Sequence, residues 1–452
     1  MKKESIRIIL IVLLIAAEFL TGCSAHIDNL ISYPDEATSP SRPVSLQSQP
    51  LQPTTISEPT YGLLTINEAV SLALKHNPEL AARQKMISIA EAQIVQAQLW
   101  PNPTIELETA NIPANDFGSN KNEKTISIGQ EISLGGKISA RQKIAHKEKE
   151  IILLQYEAAR LNLIAEVKKC FYSILLAQRR QKLLDQARQI AQNLLELTQK
   201  RVEARAALEN ELIRARLELS QTDTRLANVR TELILAQKKL NTLIGLKELA
   251  IEKYDDTLRD SYSLPPEKQL KTLVYTTHSE LALRNKEKEL AQGKLKLVQS
   301  ERYPNIGVLL GYSRNSFDDD NLIKLCFSIP IPIFNHNQGN IKDAQININK
   351  AQDNYQATAQ VILSELDATL LELKQAADQA REYQVNILPD AEKSLELTRT
   401  GYEYGKLSYL SLLEAQRTLA ETQEVYLEII GLLNSKATDL ERLTGLPLES
   451  KE

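Results

Sequence analysis

The chain has 452 residues, a formal net charge of -4, 42% hydrophobic and 25% charged residues. That balance excludes a disordered chain and gives no support to nucleic-acid binding. With 15 glycines and 5% aromatics the composition favours long helices over a sandwich, and five His and three Cys, all scattered, offer no paired ligands at zinc-site spacing.

Lys2, Lys3 and Arg7 precede the apolar run Ile8 to Ala17, the charged and hydrophobic regions of a secretory signal. The run is short of the ~20 apolar residues of a spanning helix. Leu20-Thr21-Gly22-Cys23 resembles a bacterial lipobox, in which Cys23 becomes the lipidated first residue, and Ser24 behind it resembles lipoproteins sent to the outer membrane. Residues 1–22 read as the signal peptide and 23–63 as a Pro- and Ser-rich tether without a core pattern. Cys170 and Cys326 fall in different elements, so both read as small apolar filler and not as a disulfide.

The folded part reads as two halves, residues 64–246 and 265–446, joined by a linker at 247–264 and followed by a tail at 447–452. In each half a short helix (Ile66 to His76; near Glu267 to Thr277) leads to a second helix opening at Asn77-Pro78-Glu79-Leu80 or His278-Ser279-Glu280-Leu281. That helix stops at an aromatic-Pro-Asn corner, Trp100-Pro101-Asn102 or Tyr303-Pro304-Asn305, because the residue before proline is pushed to extended geometry. The period then changes to two, predicting strands at about 104–110 and 124–134, then 305–313 and 322–333. Such alternation suits a membrane barrel, one face to lipid and one to water, and equally a half-buried soluble hairpin. Two isolated hairpins make only a marginal sheet, however, and several copies could close them into one barrel.

Helical stretches of about Lys137 to Lys200 and Asn340 to Gly401 follow, with Pro389 predicting a kink or break near Leu388. The return helices repeat each other after a shift of 200. Leu212, Ala215, Leu219, Thr222, Leu226, Val229, Leu233, Ala236, Leu240 and Leu243 recur at alternating spacings of three and four, and Leu412, Ala415, Leu419, Thr422, Tyr426, Ile429, Leu433, Lys436, Leu440 and Leu443 answer them. That is the seam of a helix packed along a neighbour by knobs into holes. No phosphate loop, nucleophile elbow or His-Glu-x-x-His motif is present, so the sequence reads as a non-enzyme without cofactor, and the histidines read as surface residues.

From Leu64 to Leu446 this order resembles the TolC family of outer-membrane factors. The resemblance rests on Asn77-Pro78-Glu79-Leu80, on Gln130-Glu131-Ile132-Ser133-Leu134-Gly135-Gly136-Lys137, and on Ile329-Pro330-Ile331-Pro332-Ile333-Phe334-Asn335-His336-Asn337-Gln338-Gly339-Asn340. The last two are similar to the CzcC-like branch, which serves heavy-metal pumps of the resistance-nodulation-division (RND) type. That branch usually has an acidic residue and Arg where Asn335 and His336 stand. The resemblance implies a mainly α fold with a small β part: a duplicated coiled-coil α-barrel plus membrane β-barrel strands, four per protomer, in a trimeric tunnel. It implies a homotrimer in the outer-membrane lipid, partnered by a periplasmic adaptor and an inner-membrane RND transporter. The function implied is passive export, of heavy-metal cations first. Multidrug efflux, type I protein secretion and a non-channel coiled-coil adaptor lipoprotein are the alternatives.

The resemblance also assigns roles. Tyr404-Gly405-Lys406-Leu407-Ser408 is similar to the family's tip motif, so Gly405, Lys406, Leu407, Ser408 and Arg205 are candidates for adaptor contact. Arg205 in the place of Gly405 predicts tips of different conformation. Glu211, Arg214 and Glu414 are candidates for a periplasmic gate, or else solvated coiled-coil flank charges. Trp100 and Tyr303 are candidates for the membrane interface, or else pack under the barrel.

Overall fold

The computed structural model describes residues 62–110, 123–246, 251, 253–255, 258–315 and 320–448. The signal, the tether and Cys23 lie outside the described residues. Helix α1 (Ile66–His76) opens with a capping box: Glu68 N–H donates to Thr65 Oγ1 at 3.3 Å, and Thr65 N–H donates to the Glu68 carboxylate at 2.9 Å. Helix α2 (Pro78–Ala97) starts from Asn77, whose side chain accepts from Leu80 N–H at 2.8 Å, and proline at its first position forgoes an N–H that would be unpaired there.

Four strands follow in two pairs: β1 (Thr104–Ala110) with β2 (Glu123–Ile132), and β3 (Ile306–Asn315) with β4 (Asp320–Ser328). The pairs join into one antiparallel sheet in the order β1-β2-β3-β4, with β2 and β3 in register from Glu123↔Asn315 to Ile132↔Ile306. The predicted alternation separates two faces. Ile105, Leu107, Ile126, Ile128, Ile323, Leu325 and Phe327 stand exposed on one, the pattern of a lipid-facing band. The other is polar and tight: Thr125, Ser127 and Ser313 are buried on it, and Lys324 pairs with Glu123 at 2.7 Å. Strand ends differ from expectation: β2 closes at Ile132 and not at 134, and β3 runs on to Asn315 and not 313. β4 stops at Ser328 and not at 333, because Pro330 and Pro332 have no N–H to give a ladder.

The long helices are α3 (Lys137–Glu203) and α7 (Gln338–Glu382) with its continuation α8 (Leu388–Glu403). The irregularity expected near Leu388 is a π turn at Tyr383–Ile387, which accommodates the missing N–H and the ring of Pro389. Return helices α4 (Glu209–Ile244) and α9 (Tyr409–Thr444) run back from the tips, and α5 (Glu267–Thr277) and α6 (Ser279–Ser300) complete the second half. Helices α2, α3, α6 and α7 stand side by side under the sheet; farther down, α9 lies between α3 and α7.

Each repeat has its own core. Leu64, Phe171, Ile174, Leu175, Leu240 and Ile244 fill the first; Leu270, Leu366, Leu373, Ile430, Leu433 and Leu440 fill the second. The seam expected on α4 and α9 is buried or half-buried along its length. Gly245 ends α4 at φ 84° and passes so close to α1 that a Cβ there would lie 2.4 Å from the His76 carbonyl. The inter-repeat segment is bound to both cores. Leu64 donates its N–H to the Lys253 carbonyl and accepts at its own carbonyl from Asp255 N–H, and the fully buried Asn434 accepts from Arg259 N–H and Tyr262 O–H while donating to the Arg259 and Ile430 carbonyls.

Candidate functional site

The two hairpins turn at Ala204–Leu208 and Tyr404–Ser408. Here the structure corrects an expectation: the tips share one backbone conformation. Arg205 sits at φ 55° and Gly405 at φ 69°, both left-handed. Each turn closes in the same way, Ala206 N–H to the Arg201 carbonyl at 2.7 Å and Lys406 N–H to the Gly401 carbonyl at 2.8 Å. Helix closure dictates the left-handed residue, and Arg205 accepts a strain of roughly 1 kcal/mol that glycine avoids. The tips differ instead in their caps. Ser408 accepts from Ser411 N–H at 3.2 Å to start α9, while Leu208, at the same point before α4, gives no side-chain cap.

Inside the tips a cluster joins the two hairpins. Leu194 of α3, Ala215 of α4, Tyr402 of α8 and Tyr409, Leu412 and Leu413 of α9 are buried together. Tyr402 and Tyr409 meet edge to face with ring centres 6.3 Å apart. Arg201 donates to the Tyr402 hydroxyl and lies 5.1 Å from that ring's centre, a cation–π contact. Arg417 of α9 reaches Glu218 of α4, with Nε at 2.8 Å from the carboxylate. Burial pushes the Tyr409 hydroxyl up to about 12, helped by the charge of Glu218, so the phenol stays neutral; its oxygen is buried without a hydrogen-bond partner.

The sequence candidates fall around this cluster. Glu211 is half-buried and adds to the field at Tyr409; Arg214 and Glu414 are exposed on α4 and α9. At the tips the ion pair between the hairpins is formed by Arg417 and Glu218, beside these candidates. Arg205, Gly405, Lys406 and Ser408 are exposed on the turns, and Leu407 folds back over Gly401, where a Cβ would come within 2.6 Å of it. Trp100 and Tyr303 are both exposed at the helix-to-strand corners. Arg201, Glu218, Tyr402, Tyr409 and Arg417 escaped the sequence reading, since partners some 199 residues apart leave no local pattern. The opposite charges of Glu218 and Arg417, near-equivalent after the repeat shift, were the available sign.

Farther up, Lys147 and Lys286 alternate with Glu150 and Glu289 in a closed ring between α3 and α6, at 2.8 to 3.1 Å. Their hydrogen bonds hold both carboxyls below the usual carboxylate range. Lys168 and Lys169 of α3 pair with Glu441 and Asp439 of α9, each at 2.6 Å. These contacts stiffen the wall and leave the tip cluster as the junction at its free end.

Comparison with known proteins agrees with this architecture. The chain is 30% identical over 384 residues to the cobalt-zinc-cadmium resistance protein CzcC of Cupriavidus metallidurans, covering 85% of this chain and 90% of that protein. It is 23% identical to the cation efflux system protein CusC of Escherichia coli, over 80% of this chain and 82% of that one. A crystal structure of CusC superposes with a TM-score of 0.71 at 18% identity, over 90% of this chain and 98% of that one. The family described as outer membrane efflux protein matches residues 69–246 and 278–446, one match in each repeat, and the chain belongs to that family.

Proposed function

We propose that the chain is the exit duct of a tripartite RND-type efflux system, passively conducting heavy-metal cations across the periplasm and outer membrane. The observation that carries the proposal is the sheet: four strands with one apolar exposed face and two unpaired edges, β1 and β4, mounted on long helical hairpins. Three copies joined edge to edge give a twelve-stranded barrel without edges, continued by a helical tunnel. Metal cations are favoured as cargo because relatives are named for cobalt, zinc and cadmium resistance and for cation efflux. In this reading residues 23–63 are the tether and Cys23 the lipid anchor, and Trp100 and Tyr303 mark the level of the periplasmic face of the outer membrane. Arg205, Gly405, Lys406, Leu407 and Ser408 meet the adaptor.

The tip cluster is the entrance. Arg417–Glu218 and Arg201–Tyr402 hold the hairpins of one protomer together, and Glu211, Arg214 and Glu414, within the first two turns of the return helices, are the gate candidates. The test is deletion of the gene in its host. Zinc, cobalt or cadmium should accumulate in the deletion strain, and the wild-type copy should restore export. Unchanged metal content with raised drug sensitivity points to multidrug efflux instead; failure to form pores in planar bilayers removes the duct altogether.

A further inference from the structure

The duplication inside one chain is a template for contacts between chains. Helix α6 is flanked by α3 on one side and α7 on the other, whereas α2, its counterpart in the first repeat, packs along α3 alone among these long helices. Met86, Ile89 and Val95 stand exposed around the part of α2 that α3 leaves uncovered, and Leu99, also exposed, follows the helix and leads to Trp100. Strand β1 continues from there as a free edge, as β4 does at the opposite side of the sheet.

The corners repeat this asymmetry. At the Tyr303 corner the connection from β2 to α3 closes in tightly: a Cβ on Gly135 would lie 3.0 Å from the Tyr303 ring and 2.8 Å from the Ser300 carbonyl. Asn305 there donates to Glu131 and accepts from Lys137. The two rings are about equally open, Trp100 at 59% and Tyr303 at 62%, so what differs at the Trp100 corner is the connection that closes on it, not the exposure of the ring. The connection missing there has a counterpart in the chain, the one from β4 to α7. By the duplication, that connection should meet the Trp100 corner of a second copy.

That connection, Ile329–Asn337, is more than twice as long as Ser133–Gly136, its counterpart between β2 and α3. The added length is apolar and bare: Ile331 is 77% exposed, Ile333 66% and Phe334 90%. Pro330 and Pro332 keep it out of any ladder, and Pro101 and Pro103 do the same on the facing edge. Hydrogen bonding between copies therefore ends at one level on both edges, and side-chain packing must take over below it.

We infer that Ile331–Phe334 of one copy seats against the Leu99–Trp100 corner of the next, an apolar seal repeated head to tail around a closed ring. This rests on the barrel reading above and adds the residues that close it. The experiment uses the full chain with Cys326→Ser, so that Cys170, which is buried, is the remaining thiol beside the anchor cysteine. Leu99→Cys and Phe334→Cys are added singly and together, and outer membranes are treated with a short bismaleimide. Only the double variant should give covalent dimers and trimers. A particle that sizes as a trimer but gives no ladder overturns the seal and leaves the barrel reading standing; a wild-type particle that is not a trimer overturns both. Should the double variant fail to assemble, Trp100, the sole tryptophan, reports by emission. Phe334→Ser should shift it to longer wavelength, and unchanged emission from a trimeric Phe334→Ser also overturns the seal.

Discussion

Replacing Arg417 by Ala should loosen the entrance. At an effective dielectric of about 20, unit charges about 4 Å apart attract by roughly 4 kcal/mol. The Arg417 side chain is 48% exposed and that of Glu218 19%, so screening and the desolvation of Glu218 remove much of this. About 1–2 kcal/mol per protomer remains, at the upper end for a partly exposed pair and in keeping with an arginine that donates twice to one carboxylate oxygen. Since 1.4 kcal/mol is tenfold, the variant should favour separated hairpins by about tenfold per protomer. Planar-bilayer recording of the purified channel reads this as higher open conductance or longer open dwell times. Tyr402→Phe removes the hydroxyl that Arg201 donates to but keeps the ring, so its effect should be smaller. Exchange of the two charges, Arg417→Glu with Glu218→Arg, should return conductance toward the wild type. If the exchange conducts like the single variant, or Arg417→Ala like the wild type, the pair is not a latch.

Gly405→Ala should cost the second tip about 1 kcal/mol and Arg205→Gly should relieve the first, read as faster and slower amide exchange in the respective turns. Asn434→Ala leaves Arg259 N–H and the Tyr262 hydroxyl without an acceptor, a loss of about 3 kcal/mol that should lower the urea midpoint; a change under about 1 kcal/mol contradicts the assigned bonds. The ring of Lys147, Glu150, Lys286 and Glu289 carries a pH signature. Both carboxyls lie below their ordinary value of 4.5, so the stability they add is present above that pH and fades as pH falls through the lowered values. The melting-temperature gap between wild type and Glu150→Gln/Glu289→Gln should therefore be open at pH 7 and close only as pH falls below the ordinary value of 4.5. Cys23→Ser should abolish labelling by a fatty-acid probe, and unchanged labelling removes the lipid anchor.

Much of the fold is written in local periods. The three-four seams of α4 and α9, the two-residue alternation of the strands and the proline corners each bury one face or forfeit one N–H, so neighbouring residues suffice to read them. The turn at Arg205 was misread because residue preference favoured a difference, while closure of the hairpin required the same left-handed step in both tips. What tertiary structure alone decided is how equivalent positions diverge. Asn434 is buried and fully bonded, yet Ile234, its match after the shift of 200, is 51% exposed. The cause is placement: α9 lies between α3 and α7 of its own chain, while α4 packs mainly on α3. The latch likewise depends on residues far apart in sequence, brought together only when both hairpins dock. A repeat can specify its own helices and strands from within, but which of its faces becomes core is set by what packs against it.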